Sequence, residues 1–399
     1  MRKNRVGILT LAGLLALTGM PGRASGQRMQ PGRRSIPVPV AQPAAAVSYD
    51  DQARFMSGLP CQDESLKKLQ ETEEWKQFAA EMDKSWAELE AKRLRPMRAW
   101  AAAEFPQAFA AAGILFYPFG GPDFLTAGVL FPQVETYVLL GLEFVGRLPD
   151  FSGASGERIA GYGRSLALAL RDFFNKSYFI TNNMNAQLAR DQVDGILPVL
   201  CFFVERGGYA IVDVKRLDLL ENGELMASDF QAHRKRTRRP YGVQIEFVSR
   251  DGGRSRTLIY ISGDLENAAF RPETAFYRYV QTLPFEMTFI KSASYLLHYD
   301  TFSRIRDLIL EKSRFVLQDD TGVPYRYFEP ETWEAQLYGE YIKPVRDFSG
   351  VEQTDLKAAY GDAAKVRPLP FHLGYHWGSN KDSILLFRRL AVSENKGPR

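Results

Sequence analysis

The sequence predicts a mixed α/β to α+β protein: a mixed sheet with flanking helices, a long amphipathic helix near the N-terminus and a largely antiparallel second half. Three observations predict it. Residues 113–145 run apolar strand, Gly-Gly-Pro-Asp turn, short helix, apolar strand, the grammar of a crossover unit with parallel strands. Tyr241–Ser249 and Thr257–Ser262 are strand-like segments joined by an Asp-Gly-Gly turn. Trp75, Phe78, Met82, Trp86 and Leu89 recur at three- and four-residue steps among Glu and Lys, an apolar stripe on a helix from about Asp63 to Arg95.

The first 26 residues read as an export signal. Arg2, Lys3 and Arg5 precede the apolar stretch Val6–Met20, which is short for a bilayer span, and Ala24-Ser25-Gly26 offers the small residues a signal peptidase reads. Cleavage before Gln27 is expected, with a destination in the periplasm or outside the cell of a bacterium. The signal also explains the positive charge. It holds four basic residues and no acid, and 51 lysines and arginines less these four leaves 47, equal to the 47 acids. A near-neutral body has no overall field to steer polyanions, so nucleic acid is not an expected partner.

Residues 27–47 are Arg, Pro, Gln and Ala with few large apolar side chains, the composition of a disordered linker. The rest divides by pattern into a helical and βαβ-like part, 48–205, and a β-rich α+β part, 206–399, as one continuous domain or two. After the signal no apolar run has the length of a membrane span. Helices are expected at 157–177, 183–193, 194–205, 272–282, 300–313, 330–338 and 353–360. Strands are expected at 209–219, 285–291, 314–318, 323–328, 369–377 and 383–390, with Asp319-Asp320-Thr321-Gly322 as a hairpin turn. Cys61 and Cys201 either pair across a long loop in an oxidising compartment or are two buried thiols.

Strong chemical signatures are missing from the sequence: there is no phosphate loop, no His-Glu-x-x-His and no Cys-x-x-Cys, so neither metal nor cofactor is expected. Gly163-Arg164-Ser165-Leu166-Ala167 resembles a nucleophile elbow only in letters, since no strand precedes it. The most suggestive segment is Tyr117–Asp123. It lies where a strand ends and a helix begins, with Gly120 and Gly121 able to admit a ligand to the backbone. Asp123 is a carboxylate base there or, more simply, the helix cap. His372, with His376 and Trp377, stands in a strand-like stretch, where His372 and His376 lie too far apart to share one metal. His298 precedes Asp300, which it would need as an orienting partner. The basic run His233–Arg239 suits either a polyanion or a solvated loop.

The expected function is therefore that of an exported soluble envelope protein that binds a small molecule or envelope component, with Tyr117, Gly120, Gly121, His372 and Trp377 as ligand contacts. The first alternative is an exported hydrolase using Asp123, His298 and His376. The second is a structural or interaction protein acting through its N-terminal helix.

Overall fold

The computed structural model describes residues 47–179, 189–190, 193–228, 241–376 and 382–391. The expected signal and linker, the basic run 233–239 and Trp377 lie outside these residues, as does most of the predicted helix 183–193.

Helices α1 (Tyr49–Met56), α2 (Glu64–Gln70) and α3 (Glu73–Leu89) open the chain, and a π-helical turn over Glu90–Leu94 leads into α4 (Arg95–Glu104) and α5 (Pro106–Phe109). The single helix expected over 63–95 is thus broken. Thr72 caps α3 anew, its hydroxyl accepting from the Trp75 amide, and Pro96 sits in the first turn of α4, where its missing N–H costs nothing. The apolar stripe is spent internally: Trp75, Phe78, Met82 and Leu89 are buried in the main core.

The crossover unit comes next as β1 (Ile114–Tyr117), α6 (Phe124–Leu130) and β2 (Thr136–Gly141), with β1 and β2 parallel. Helix α7 (Gly156–Lys176) succeeds it and contains Ser165, which is an ordinary helical residue. Ala189–Arg190 (β3) and Val193–Asp194 (β4) form a two-residue ladder in place of the expected helix end. Then come α8 (Leu197–Arg206), β5 (Tyr209–Leu219), β6 (Leu225–Ser228), β7 (Tyr241–Ser249), β8 (Arg256–Ser262), α9 (Ala275–Thr282), β9 (Met287–Ile290), α10 (Ser303–Lys312) and β10 (Phe315–Asp319). The chain ends with β11 (Trp333–Gly339), α11 (Thr354–Tyr360), β12 (Val366–Arg367) and β13 (Ser383–Arg389).

Eleven of these strands form one mixed sheet in the order β12-β11-β13-β10-β9-β1-β2-β8-β7-β5-β6. The five at its centre, β10-β9-β1-β2-β8, are all parallel, and antiparallel ladders extend it on both sides. The second half is therefore less antiparallel than its sequence suggests, because β8, β9 and β10 join the parallel core. Both faces of that core are buried. Leu115 and Tyr117 point into a cluster with α3, α4, α6, α7 and α8, while Phe116 points into another with α9, α10 and α11.

Three expected elements differ. Residues 330–338 hold the helix formers Glu331, Glu334, Ala335, Gln336 and Leu337, yet from Trp333 on they form strand β11 because they pair with β13 and bury Trp333 and Leu337. Residues 323–328 hold a short 3₁₀ turn, and Asp319-Asp320 is no hairpin: β10 pairs with β9 and β13, not with the segment after Gly322. The described part of 369–377 is irregular, bent at Gly374, whose φ is +83°. Both cysteines are free and buried. Among the described residues no helix is long and apolar enough to cross a membrane.

Candidate functional site

The chain leaves β1 through α6 to β2 on one side, and leaves β9 through α10 to β10 on the other. Adjacent parallel strands whose connections run opposite ways leave a crevice beyond their carboxyl ends. A cavity of about 540 Å³ lies there. The loop after β1 supplies Tyr117, Phe119, Gly120, Gly121 and Asp123; the end of β2 supplies Gly141, Leu142 and Glu143; the end of β8 supplies Gly263 and Asp264; and the turn after β9 supplies Lys291 to Ser294. Tyr178, Phe302, Phe348 and Tyr375 form aromatic walls, with Tyr375 edge-on to Tyr178 at 4.7 Å and stacked on Phe348 at 5.5 Å.

The floor is an ion pair. Lys291 Nζ lies 2.5 Å from Asp123 Oδ2, both side chains almost wholly buried. The ammonium also donates to the Ser177 carbonyl at 2.5 Å and to Thr126 Oγ1 at 3.3 Å, and stands 5.3 Å from the Phe173 ring. Asp123 accepts from the Tyr117 hydroxyl at 3.0 Å and from the Thr126 amide at 3.1 Å. The second bond makes Asp123 the N-cap of α6, so its own carboxylate fills the place where a helix start would hold an anion. Burial lowers the Lys291 pKa and the Asp123 charge opposes that; burial, then Asp123, raises that of Tyr117.

Glycines shape the upper wall. A Cβ on Gly120 would strike the Tyr117 ring at 2.8 Å, and one on Gly141 would lie 2.5 Å from Glu143 Oε2 and 2.9 Å from the Gly121 backbone. Bare backbone at Gly121 and Gly141 therefore makes room for the buried Glu143 carboxylate, which accepts from the Tyr260 hydroxyl at 3.2 Å. At the rim, Leu142 is 62% exposed.

Backbone strain concentrates at this cavity. Among the described residues five non-glycine residues take left-handed φ: Phe119, Ser177, Ser292, Ser294 and Tyr295. Phe119, Ser292 and Ser294 line the cavity, Tyr295 joins two lining residues, and Ser177 holds Lys291. Each such residue costs on the order of 1 kcal/mol or more, and persists only where its surroundings over-determine it. The surroundings are visible. Asp319 Oδ2 accepts from the Ser292 amide at 2.8 Å, Thr321 Oγ1 from the Ala293 amide at 2.7 Å, and Asp320 from the Tyr295 hydroxyl. Tyr375 donates to the Ser292 carbonyl at 2.9 Å. Asp319 and Asp320 are both buried, and burial holds each well above the usual carboxylate range, with the neighbouring Asp320 charge adding to the effect on Asp319.

Of the residues singled out from sequence, Tyr117, Gly120, Gly121 and Asp123 meet in the cavity. The histidines do not. His298 sits outside the cavity lining, 5.2 Å from the Tyr295 ring, and its Nε2 is buried without a partner. Burial first, then Arg326, lowers its pKa to about 4. Asp300, its expected orienter, is exposed beside Arg306 at 3.7 Å. His376 lies near enough to Asp382 to favour that carboxylate's charge. His372 is elsewhere: its Nδ1 is 2.9 Å from Asp382 Oδ2, and its 46% exposed ring borders a second groove of about 690 Å³ between α3 and α7. Behind that groove the π-helical turn delivers Arg93 to the last carbonyls of α7, bonded to Phe173 O at 2.9 Å and Phe174 O at 3.1 Å.

Lys291, Glu143 and Asp264 were missed by sequence reasoning, and Asp319-Asp320, whose letters also suit a metal or acid/base motif, were read as turn chemistry. Each stands at or within two residues of the carboxyl end of a central strand, a position that becomes informative only once those strands are known to be parallel neighbours. Among the described residues no group of three or more His, Cys, Asp or Glu is placed to hold a metal ion. No protein-family model matches the chain, and no curated protein matches it in sequence.

Proposed function

We propose that this chain is an exported envelope protein that binds a nucleoside-like small molecule in the cavity at the carboxyl ends of β9, β1, β2 and β8. The observation that carries the reading is positional. Taken in chain order, β1, β2, β8, β9 and β10 lie as third, second, first, fourth and fifth across the parallel core, with a glycine pair after the first and a carboxylate just beyond the second. In doubly wound sheets of this order an acidic residue about twenty positions after the glycine turn accepts the hydroxyls of a ribose. This is an argument from fold-level analogy; the local chemistry narrows it. Glu143 accepts the ribose diol, Asp264 accepts from an exocyclic amine of the base, and Leu142 with the aromatic walls covers the ring. Asp123 occupies the site where a pyrophosphate would rest, so the ligand carries a neutral or cationic 5′ substituent, such as an amine or sulfonium.

Calorimetric titration with adenosine, 2′-deoxyadenosine, 5′-amino-5′-deoxyadenosine and adenosine monophosphate tests this. The first and third are expected to bind, the monophosphate at least tenfold more weakly. Glu143→Gln should weaken adenosine ten- to a hundredfold, the worth of a hydrogen bond to a charged group. Tighter binding of the monophosphate, or equal affinity for the 2′-deoxy compound, would overturn the reading.

A second reading, hydrolysis, has one observation behind it: the His372–Asp382 pair beside the second groove. An imidazole so oriented is a serviceable general base. A hydrolytic activity against an ester panel that vanishes in His372→Gln would favour it over the binding reading.

A further inference from the structure

The turn after β9 is the most strained part of the cavity wall, and beside Thr321 and Tyr375 it is gripped by two buried acids. We propose that Asp319 and Asp320 are positioning residues of the cavity: they clasp Ser292–Tyr295 in its left-handed form, and proton uptake by the pair loosens the clasp.

The geometry gives the reason. Every polar contact on these two carboxylates comes from a donor. Asp319 receives the Ser292 amide at 2.8 Å, the Thr321 amide at 3.0 Å and the Thr321 hydroxyl at 2.5 Å; Asp320 receives the Tyr295 hydroxyl and, at 3.2 Å, the Ser383 hydroxyl. A carboxylate is an acceptor only, whereas a protonated carboxyl brings a donor of its own. A proton on either acid therefore removes the charge that strengthens these bonds and puts a donor where there was only an acceptor, so the bonds to that carboxyl weaken. The Thr321 hydroxyl has little freedom to turn, because its oxygen already accepts from Ala293. The bonds at risk are thus the bonds that hold the turn. Burial pushes both acids towards protonation, with the Asp320 charge adding to it at Asp319 and the Asp382 charge at Asp320.

Other ionisable groups face the pair. From the segment before β13 come Asp382, then His372 and His376 beyond it. From β1 comes Tyr117, and from the start of α6 and the turn after β9 come the two partners of the Asp123–Lys291 ion pair. Tyr375, Tyr341 and Tyr360 close the remaining sides, each held above its ordinary value chiefly by burial. His298, packed against Tyr295 and beside Asp320, faces the pair as well, so the test must separate the histidines from the acids.

The clasp itself is independent of what the cavity binds; only the ligand arm of the test rests on the nucleoside reading. Hydrogen exchange of the full mature chain is followed by mass spectrometry between pH 5 and 8, corrected for intrinsic exchange, on peptides covering 291–297 and, as reference, β1. Protection of 291–297 is expected to fall at least tenfold from pH 8 to pH 5 while β1 holds steady. In Asp319→Asn it should be low and independent of pH, and in His372→Gln the wild-type profile should persist. Tyr295→Phe, which removes only one donor, stands in if Asp319→Asn does not fold. Flat protection in the wild type, or a profile abolished by His372→Gln, overturns the clasp. Adenosine titrations across the same range are expected to weaken in acid. Loss of protection in acid without adenosine binding at any pH keeps the clasp and sinks the nucleoside reading.

Discussion

Two pairs of buried ionisable groups lie under one cavity, and they are built on opposite principles. Asp123 and Lys291 carry opposite charges, and each also has neutral hydrogen-bond partners. Asp319 and Asp320 carry the same charge when ionised and have only neutral donors to spread it over. The first pair fixes where β9 meets α6. The second is a store for protons. A buried carboxylate can thus be either a fixed support or a titratable part of the same site, according to whether a cation was buried with it.

The largest expected effect breaks the first pair. Lys291→Met leaves the Asp123 carboxylate buried without its cation and should cost about 3–5 kcal/mol, read from the urea midpoint. Asp123→Asn added to it should restore much of that loss, since an amide tolerates burial far better than a lone charge. A cost under about 1 kcal/mol for the single variant would mean the two pairs are not different in kind.

The next concerns the second pair. The pKa values of Asp319 and Asp320 in the folded chain lie above the unfolded value of about 4, so the folded state holds more protons. Their contribution is complete below about pH 4 and is lost as pH rises towards about 7. Asp319→Asn, which starts lower because its bonds to Ser292 and Thr321 are disturbed, should therefore gain on the wild type between pH 4 and pH 8, by on the order of a few kcal/mol. Equal pH slopes in urea melts of the two proteins would contradict this. His298 supplies a smaller effect of the opposite sign. Its folded pKa of about 4 lies below the unfolded value of about 6.5, so its contribution is present at neutrality and lost as pH falls through that interval. His298→Leu should cost about 1 kcal/mol or less at pH 7.5 and should reduce acid sensitivity, a change that melting curves at pH 5 and 7.5 would register.

The parts legible in the sequence are those with local causes. The β1–α6–β2 unit announced itself through two apolar runs around Gly-Gly-Pro-Asp, and the position of Asp123 before α6 makes it a cap. Helix α7 and strands β5, β7 and β8 likewise come from period and turn chemistry. Elements whose conformation is decided by distant neighbours were not legible. β11 has helix-forming letters and is a strand because β13 offers it a ladder. Asp319-Asp320-Thr321-Gly322 has turn-forming letters, and its acids serve the turn after β9, some twenty-five residues earlier in the chain. Lys291 gave no signal, because nothing within its own strand reveals a carboxylate from another crossover. The cavity was half visible: the loop that begins it was found, and the groups that charge and brace it were not.

The place of β13 has a consequence for the order in which this molecule can be made. It is the last of the described strands, and it does not lie at the margin of the sheet but between β10 and β11. Until residues 383–389 arrive, β10 and β11 have no common partner, and two long ladders stay open. Synthesis from the N-terminus thus leaves the sheet incomplete until residues 383–389 are made, with apolar strand edges exposed meanwhile. A chain cut ahead of residue 383 would lack the strand that joins β10 to β11, and so the link between the parallel core and that side of the sheet.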